Sequence, residues 1–385
     1  MFFLSDEHHM MRKTVRDFAE KELAPKAAEI DETCEFPVDS FKKLAEQGLL
    51  GVAYPEEWGG TGLDYLNYAI AVEEVARVCG STALSMAAHN TLGCGPVHHF
   101  GTEEQKKKYL PKLASGEMLG SYGLTEPNSG SDAGGMQTRA EKDGEYWVLN
   151  GQKAWMTNGG YAGLYTVTAV TDPSAGTKGI TAFLIDKGHP GVEIGSEYHK
   201  LGCRGSNTVE FYLTDCRVHE SAILGELNRG FHQFMQILNM GRISIGAMAL
   251  GLAQAAYEAA AKYACEREQF GQPIGEFQAL GFMLADMSTE IDAARLLLYQ
   301  AAAIKDAGED FAIAAAKAKL YASEVSHRVC HKAIQIHGGY GYSKEFPVER
   351  YMRDAKLTEI GEGTSEIQRV IISRDVLKNA RKAIS

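Results

Sequence analysis

Residues Tyr122 to Gly134 read YGLTEPNSGSDAG. Gly123, Ser129, Gly130, Ser131 and Gly134 thin the side chains along this stretch. Backbone without a Cβ can be approached closely, and successive exposed N–H groups form a concavity suited to an anion. Taken alone, such a polar stretch is a solvated loop. Its position gives it weight, because the periodicity of the chain changes on either side of it.

Upstream the pattern is helical. Met11, Val15 and Phe18 recur at spacings of 4 and 3, one face of a helix that starts at Ser5 and is expected to end at Pro25. Further helices are expected over Val38–Gly48, Tyr65–Val78, Ser81–Phe100 (apolar, rich in small residues and buried) and Lys106–Ala114. Downstream, Asp143-Gly144 is a hairpin signal, and Tyr165–Thr171, Gly179–Ile185 and Thr208–Leu213 are strand-like runs. Short strands without intervening helices predict a small antiparallel barrel or sandwich. From Arg229 long helices return. Leu280, Leu284, Met287, Ile291, Ala294 and Leu298 step 4, 3, 4, 3, 4, the seam of a bundle helix. Ile243–Tyr263 and Phe311–Ile336 are comparably long and Ala-rich. The expected organisation is therefore α+β and multi-domain: a helical domain over 1–119, a β domain over 120–228 and a four-helix-type bundle over 229–385.

Composition excludes several classes. The chain has 385 residues, 45% hydrophobic and 23% charged, enough for more than one core. A net charge of -11 argues against nucleic-acid binding, which needs a basic patch. No apolar run approaches the ~18 residues of a membrane span. The amino-terminal MFFLSDEHHMMRK has neither a signal-peptide core nor transit-peptide character. Seven scattered cysteines without a C-x-x-C fit a reducing cytoplasm.

Several familiar motifs fail. Gly93-Cys-Gly95 has His98 where a dinucleotide fingerprint needs its third Gly, and no strand precedes it. His327 and His331 stand at i and i+4, but no third ligand accompanies them, so they read as helix-surface histidines and no metal is expected. No G-x-S-x-G elbow occurs.

Four stretches remain. Lys153–Gly159 (KAWMTNG) sets Trp155 and Thr157 two apart on one strand face, either a core tryptophan or a platform for a flat heterocycle. Arg267–Pro273 (REQFGQP) is either a helix-ending loop or a charged ligand contact. Gln335–Gly341 (QIHGGYG) has more glycine than a helix stop requires. Glu359–Gln368 (EIGEGTSEIQ) places Glu362 between two glycines, just before an amphipathic helix. It is either a solvated carboxylate or one set tightly against a ligand.

Together these pieces resemble the acyl-CoA dehydrogenase family over essentially the whole chain. They run PEEWGGTG, YGLTEPNSGSDAG, KAWMTNGG, KLGCRGSNT, MGRISIGAMALGLAQ, REQFGQPI, QIHGGYGY and Arg350–Ile367. The resemblance implies FAD held between the β domain and the bundle. Tyr122, Leu124 and Thr125 would face the flavin, with Gly130 and Ser131 beside it and Trp155 and Thr157 covering it. Arg267, Gln269, Phe270, Gln335, Gly338 and Gly339 would hold the pyrophosphate and adenosine across a subunit boundary, and Thr364 and Glu366 would close the site. That arrangement implies a homo-oligomer, in the family typically a tetramer. Glu362 matches the catalytic base, and electrons would leave to an electron-transfer flavoprotein. Ser131, Asn239, Gly241, Arg242, Gly361 and Gly363 match substrate contacts, with Asn239 where short-chain members usually have Asp.

Most relatives have Tyr before the base, whereas this chain has Gly361. Relatives acting on isovaleryl-CoA also have Gly there, but carry their base at the position of Gly241. Glycine at both places predicts a wide pocket for a branched, cyclic or aryl-bearing acyl group. The alternative is a plain butyryl-type enzyme. A flavin monooxygenase on the same fold would not need Glu362, an oxidase would be expected to carry an extra carboxy-terminal domain, and a redox-inactive helical protein would be flavin-free.

Overall fold

The structure, a computed structural model, describes residues 4–384. Residues 1–3 of the amino-terminal stretch read for a targeting signal lie outside them. Helix α1 (Asp6–Phe18) starts at Ser5, whose hydroxyl accepts from the His8 N–H in a reciprocal capping box. Pro25 does not end the helical path. The chain passes through a π turn (Ala19–Leu23) and a 3-10 turn (Ala24–Lys26) into α2 (Ala27–Thr33). Proline stands in the opening turn of that 3-10 segment, where its missing N–H costs little, so the path kinks and continues.

After α3 (Val38–Glu46), helix α4 (Tyr65–Ala76) is buried on every side. Its Glu73 and Glu74 are almost wholly enclosed and are answered by Arg12, Arg16, Arg77 and Arg295, as buried carboxylates require. The helix expected over Ser81–Phe100 is instead α5 (Gly80–Ala88), a π segment (His89–Cys94) and α6 (Gly95–Phe100), followed by α7 (Glu103–Ala114). The widened turn sets Gly93 against Gly120, where a Cβ on Gly120 would lie 2.4 Å from the Gly93 Cα. These glycines seat the helical domain on the β domain through bare backbone.

The middle of the chain forms one curled sheet from β1 (Gly120–Gly123), β2 (Arg139–Asp143), β3 (Tyr146–Thr157), β4 (Leu164–Val170), β5 (Ile180–Asp186), β6 (Val192–Glu197) and β7 (Thr208–His219). The strands run β1-β4-β2-β3-β7-β6, with β5 also on β4. Pairing is mostly antiparallel, including the Asp143-Gly144 hairpin, but β1 lies parallel to β4. Trp147, Leu149, Tyr165, Phe183 and Phe211 fill the inner face.

Helix α8 (Gly230–Glu266) then crosses the core. A Cβ on its Gly251 would meet the Glu73 carbonyl at 2.2 Å, so α8 and α4 touch backbone to backbone. A two-strand hairpin, β8 (Glu268–Gln269) and β9 (Gln272–Pro273), leads to α9 (Gln278–Asp306), α10 (Ala312–His337), α11 (Val348–Ile360) and α12 (Ser365–Ile384). On α9, Met287, Ile291, Ala294 and Leu298 are fully buried, and Leu280 and Leu284 pack half-buried against the same core. No helix of the described residues is long and apolar enough to cross a membrane.

Candidate active site

Helix α11 stops where the Gly361 N–H bonds the Leu357 carbonyl at 2.8 Å. The chain then turns through Glu362 at φ 52 and Gly363 at φ 92 before α12 begins. A left-handed glutamate is strained, and such strain persists where surrounding structure enforces it. Here the turn drives the carboxylate against α8. Its Oε2 is buried and has no hydrogen-bond partner. Burial pushes the carboxyl up to about 7, against the opposing pull of Lys319 and Arg242.

The carboxylate also fills the space beside Gly241. A Cβ there would lie 1.5 Å from Glu362 Oε2. That glycine makes room for Glu362. At Gly361 a Cβ would touch only Leu357, at 3.5 Å and beyond.

Two cations face the carboxylate. Arg242 is 4% exposed and donates to Asn239 Oδ1, while its Nε is buried without an acceptor. Burial lowers its pKa, and among the described residues it forms no ion pair. Asn239 thus orients the guanidinium without neutralising it. Lys319, on α10, is fully buried and donates to the Gly363 carbonyl at 2.7 Å. The sequence reading did not single it out. The signal was there, because Lys319 falls on the same helical face as the buried Ala315 and Ala322. Gln368 Nε2 donates to the same carbonyl at 2.9 Å. Thr364 caps α12 through the Ile367 N–H at 3.3 Å, and Glu366 is exposed beside it.

The Tyr122–Gly134 stretch leaves β1 and hangs on a buried ion pair. Lys153 Nζ lies 2.7 Å from Glu126 Oε1 and 3.3 Å from the Leu124 carbonyl, and Glu126 also accepts the Gln137 and Thr138 N–H groups. Burial lowers Lys153 to about 8. The Tyr122 and Leu124 side chains pack inward with Phe234, so only their backbone is free to meet a ligand. Gly130 and Ser131 are exposed, and a Cβ on Gly130 would meet nothing within 4 Å. Trp155 stands on a bulge of β3, at φ 59, with two residues opposing one between Lys153 and Met156. Its ring is 56% exposed and stacks on Tyr198 at 4.1 Å, and Thr157 is half-buried two residues on. The tryptophan is thus an outward platform and not a core residue.

Arg267 and Gln269 line a second cleft of about 610 Å³ with Gly338, Gly339 and Tyr340. Gln335 is exposed nearby on the last turn of α10, and Phe270 projects at 94% exposure. No residue of the 122–134 loop lines this cleft. One chain therefore presents the expected residues as two separate groups.

Comparison with known proteins identifies the family. Family models match residues 5–117 (acyl-CoA dehydrogenase, N-terminal domain), 121–216 (middle domain) and 228–377 (C-terminal domain). The chain is 55% identical to a probable acyl-CoA dehydrogenase, YngJ, of Bacillus subtilis, over 98% of this chain and 100% of that one. It is 48% identical to the short-chain specific acyl-CoA dehydrogenase of Clostridium acetobutylicum, with coverage of 98% and 100%. The butyryl-CoA dehydrogenase structure from Megasphaera elsdenii superposes with a TM-score of 0.96 at 44% identity, covering 98% of this chain and 100% of that one. With all three domains matched in order and whole-length identity of this size, the chain belongs to the acyl-CoA dehydrogenase family.

Proposed function

We propose that this protein is an FAD-dependent dehydrogenase that converts a short acyl-CoA thioester to its α,β-enoyl product, with Glu362 as the base. The observation that carries this reading is the Glu362 carboxylate, held in a left-handed turn with its Oε2 buried and unpartnered between two buried cations. A carboxylate freed from hydrogen bonds in a dry pocket is a stronger base toward a weak carbon acid.

The residues fit the flavin. Open backbone at Gly130 in one group, and at Gly338 and Gly339 in the other, where a Cβ would meet nothing within 4 Å, leaves room for the ring end and the anionic end of the group to approach closely. Thr125, Gly130, Ser131, Trp155 and Thr157 would hold its ring end. Arg267, Gln269, Phe270, Gln335, Gly338 and Gly339 would hold its pyrophosphate and adenosine. When bound, FAD supplies the acceptor for the β-hydrogen and its electron pair. Glu362 takes the α-proton, and the Glu362 N–H donates to the thioester oxygen. As the carboxylate becomes neutral, negative charge builds on the thioester within the field of Arg242 and Lys319. The two cations are thereby placed to favour proton removal.

The two groups of flavin residues lie apart in one chain, so we infer that a second copy completes each site and that the protein is a homo-oligomer, by family likeness a tetramer. Electrons pass to an electron-transfer flavoprotein. A chain of the structure described as the electron transferring flavoprotein of Acidaminococcus fermentans aligns with a TM-score of 0.96 at 46% identity, over 98% of this chain. All seven cysteines are unpaired thiols, in keeping with the cytoplasm.

For the acyl group, the filled space at Gly241 favours a butyryl-type chain. The free Cβ position at Gly361 supports a second reading, a short branched acyl group. Anaerobic titration of the holoenzyme with butyryl-, isobutyryl-, 2-methylbutyryl- and ring-bearing thioesters tests both, through bleaching of the flavin band. Bleaching by any of them that is lost in Glu362→Gln establishes the reaction and the base, and the best titrant identifies the acyl class. If none bleaches the flavin, the reading is wrong.

A further inference from the structure

We propose that Lys319 is a positioning residue of this site: its ammonium pins the Gly363 carbonyl and so holds Glu362 in the left-handed turn that delivers its carboxylate to α8. The inference rests on the reading of Glu362 as the base.

Three observations support it. First, the turn needs an external hold. Glu362 at φ 52 is an unfavourable conformer for a residue with a side chain, and among the described residues only the Gly363 carbonyl ties the loop back to the bundle through a charged donor. Second, the hold is built twice onto one atom. That carbonyl accepts from Lys319 at 2.7 Å and from Gln368 at 2.9 Å, which fixes the Gly363–Thr364 peptide, one residue past Glu362. Gln368 belongs to the helix that follows the loop, whereas Lys319 lies on α10, so of these two donors the lysine is the one that ties the loop to an element not next to it in the chain. Third, Lys319 has no structural reason to be charged. It is 0% exposed, and among the described residues the Gly363 carbonyl is its sole hydrogen-bond acceptor and no carboxylate lies within ion-pair distance. A buried ammonium so poorly compensated is a cost to stability that packing does not explain.

The groups that face this pair come from four directions. Lys319 feels Glu362, Arg242, Glu359 and Glu366, and Glu362 also faces the buried phenols of Tyr65 and Tyr68 on α4. Burial brings Lys319 down to about 8, so it stays largely protonated at neutral pH. Its positive charge favours the ionised carboxylate, so removing it raises the pH at which Glu362 becomes a base.

The test uses holoenzyme carrying Lys319→Met, which removes donor and charge, and Lys319→Gln, which keeps a donor but no charge. Flavin bleaching rate against pH, thioester affinity and amide hydrogen exchange over residues 361–366 are measured for each. In Lys319→Met we expect bound flavin to be retained and thioester affinity to change less than about 3-fold, while bleaching slows about 10- to 100-fold, the scale of a misplaced catalytic group. Exchange in the loop should quicken, and the pH midpoint should rise. Lys319→Gln should restore much of the rate and the exchange protection while keeping the raised midpoint. Wild-type rate, midpoint and exchange in Lys319→Met would overturn the inference. So would equal loss of stability and rate in both variants with an unmoved midpoint, the behaviour of a merely structural lysine. If the wild type itself is not bleached, the Glu362 reading fails, and unchanged exchange in Lys319→Met then separately removes the pinning role.

Discussion

The Glu362 carboxylate occupies the volume in which any side chain at residue 241 would begin, with Oε2 1.5 Å from the position of a Cβ on Gly241. The base, on the loop between α11 and α12, therefore depends on a glycine in the middle of α8. Gly241→Ala should leave the fold and the flavin in place, because the displaced group is a side-chain tip. The carboxylate must move by an ångström or more, which lowers the bleaching rate by about 100-fold. Rapid-mixing kinetics with the best thioester would show it, and a rate within a factor of three of wild type would sink the idea.

The carboxyl of Glu362, raised to about 7 by burial, has two opposite pH signatures. Catalysis needs the ionised form, so the apparent kcat/KM should rise with pH through about 7. Stability should do the reverse. Unfolding returns the group to its ordinary value near 4.3, so between about 4.5 and 7 the folded chain binds the extra proton, and stability from this group is lost as pH rises through the folded pKa. Glu362→Gln removes that loss and should be stabilising at pH 8 relative to wild type but close to neutral at pH 5. The difference is at most on the order of 3 kcal/mol, less where solvent reaches the half-buried residue. Urea midpoints of both proteins at the two pH values check it. Equal differences at both would falsify the assignment.

The order helices, β domain, helices was legible because the hydrophobic period switches near Gly120 and again near Arg229. The continuation past Pro25, the π segment at His89–Cys94 and the parallel β1–β4 pair were not legible. The π segment and the parallel pair are set by partners distant in sequence, as Gly93 is by Gly120, whereas past Pro25 a 3-10 turn takes the proline in its opening turn, where its missing N–H costs little. The site shows the same division. Glycines on both sides marked Glu362, and of the two readings left open for Trp155 the core tryptophan is excluded by its exposure. That the Glu362 carboxylate lies beside Gly241 is not legible, because what stands next to a glycine comes from elsewhere in the chain. Lys319 was passed over because a lysine in an Ala-rich helix looks like surface until the burial of its neighbours is followed around the face.

Beneath the Tyr122–Gly134 stretch, the Lys153–Glu126 pair is enclosed, at 0% and 6% exposure. Glu126 keeps two backbone donors if the lysine goes, but Lys153 keeps only the Leu124 carbonyl if the glutamate goes. Glu126→Leu should therefore be the worse single substitution, costing about 3–5 kcal/mol, with Lys153→Met milder and the double variant recovering part of the loss. Because the pair carries the loop, Glu126→Leu should also release FAD at lower urea than it unfolds the helices. Flavin fluorescence followed together with circular dichroism separates the two events, and coincident transitions in all three variants would refute the loop-anchoring role.

Arg353 ties three parts of the molecule together on the helix that ends at Glu362's turn. Its guanidinium meets both oxygens of Asp31 on α2, at 2.6 and 2.9 Å, takes Glu349 on its own helix, and donates to the Leu201 carbonyl of the β domain at 3.2 Å. The adjacent Asp354 is fully buried and accepts the Cys203 N–H, so α11 is latched to both other domains within two residues. Planar, two-oxygen recognition is what lysine cannot reproduce. Arg353→Lys should lose about 1–3 kcal/mol, and Arg353→Met more, since Asp31 is then left buried without its cation. The consequence for catalysis follows from the geometry of α11. Once its outer face is released, the helix can shift along α10, and the loop at 361–364 shifts with it. Bleaching rate should then fall in Arg353→Met beyond what its unfolded fraction explains, with thioester affinity little changed. Rate measured well below the melting temperature distinguishes this from simple instability: a variant that melts early but bleaches flavin at the wild-type rate would show that the latch holds the domains together without setting the position of Glu362.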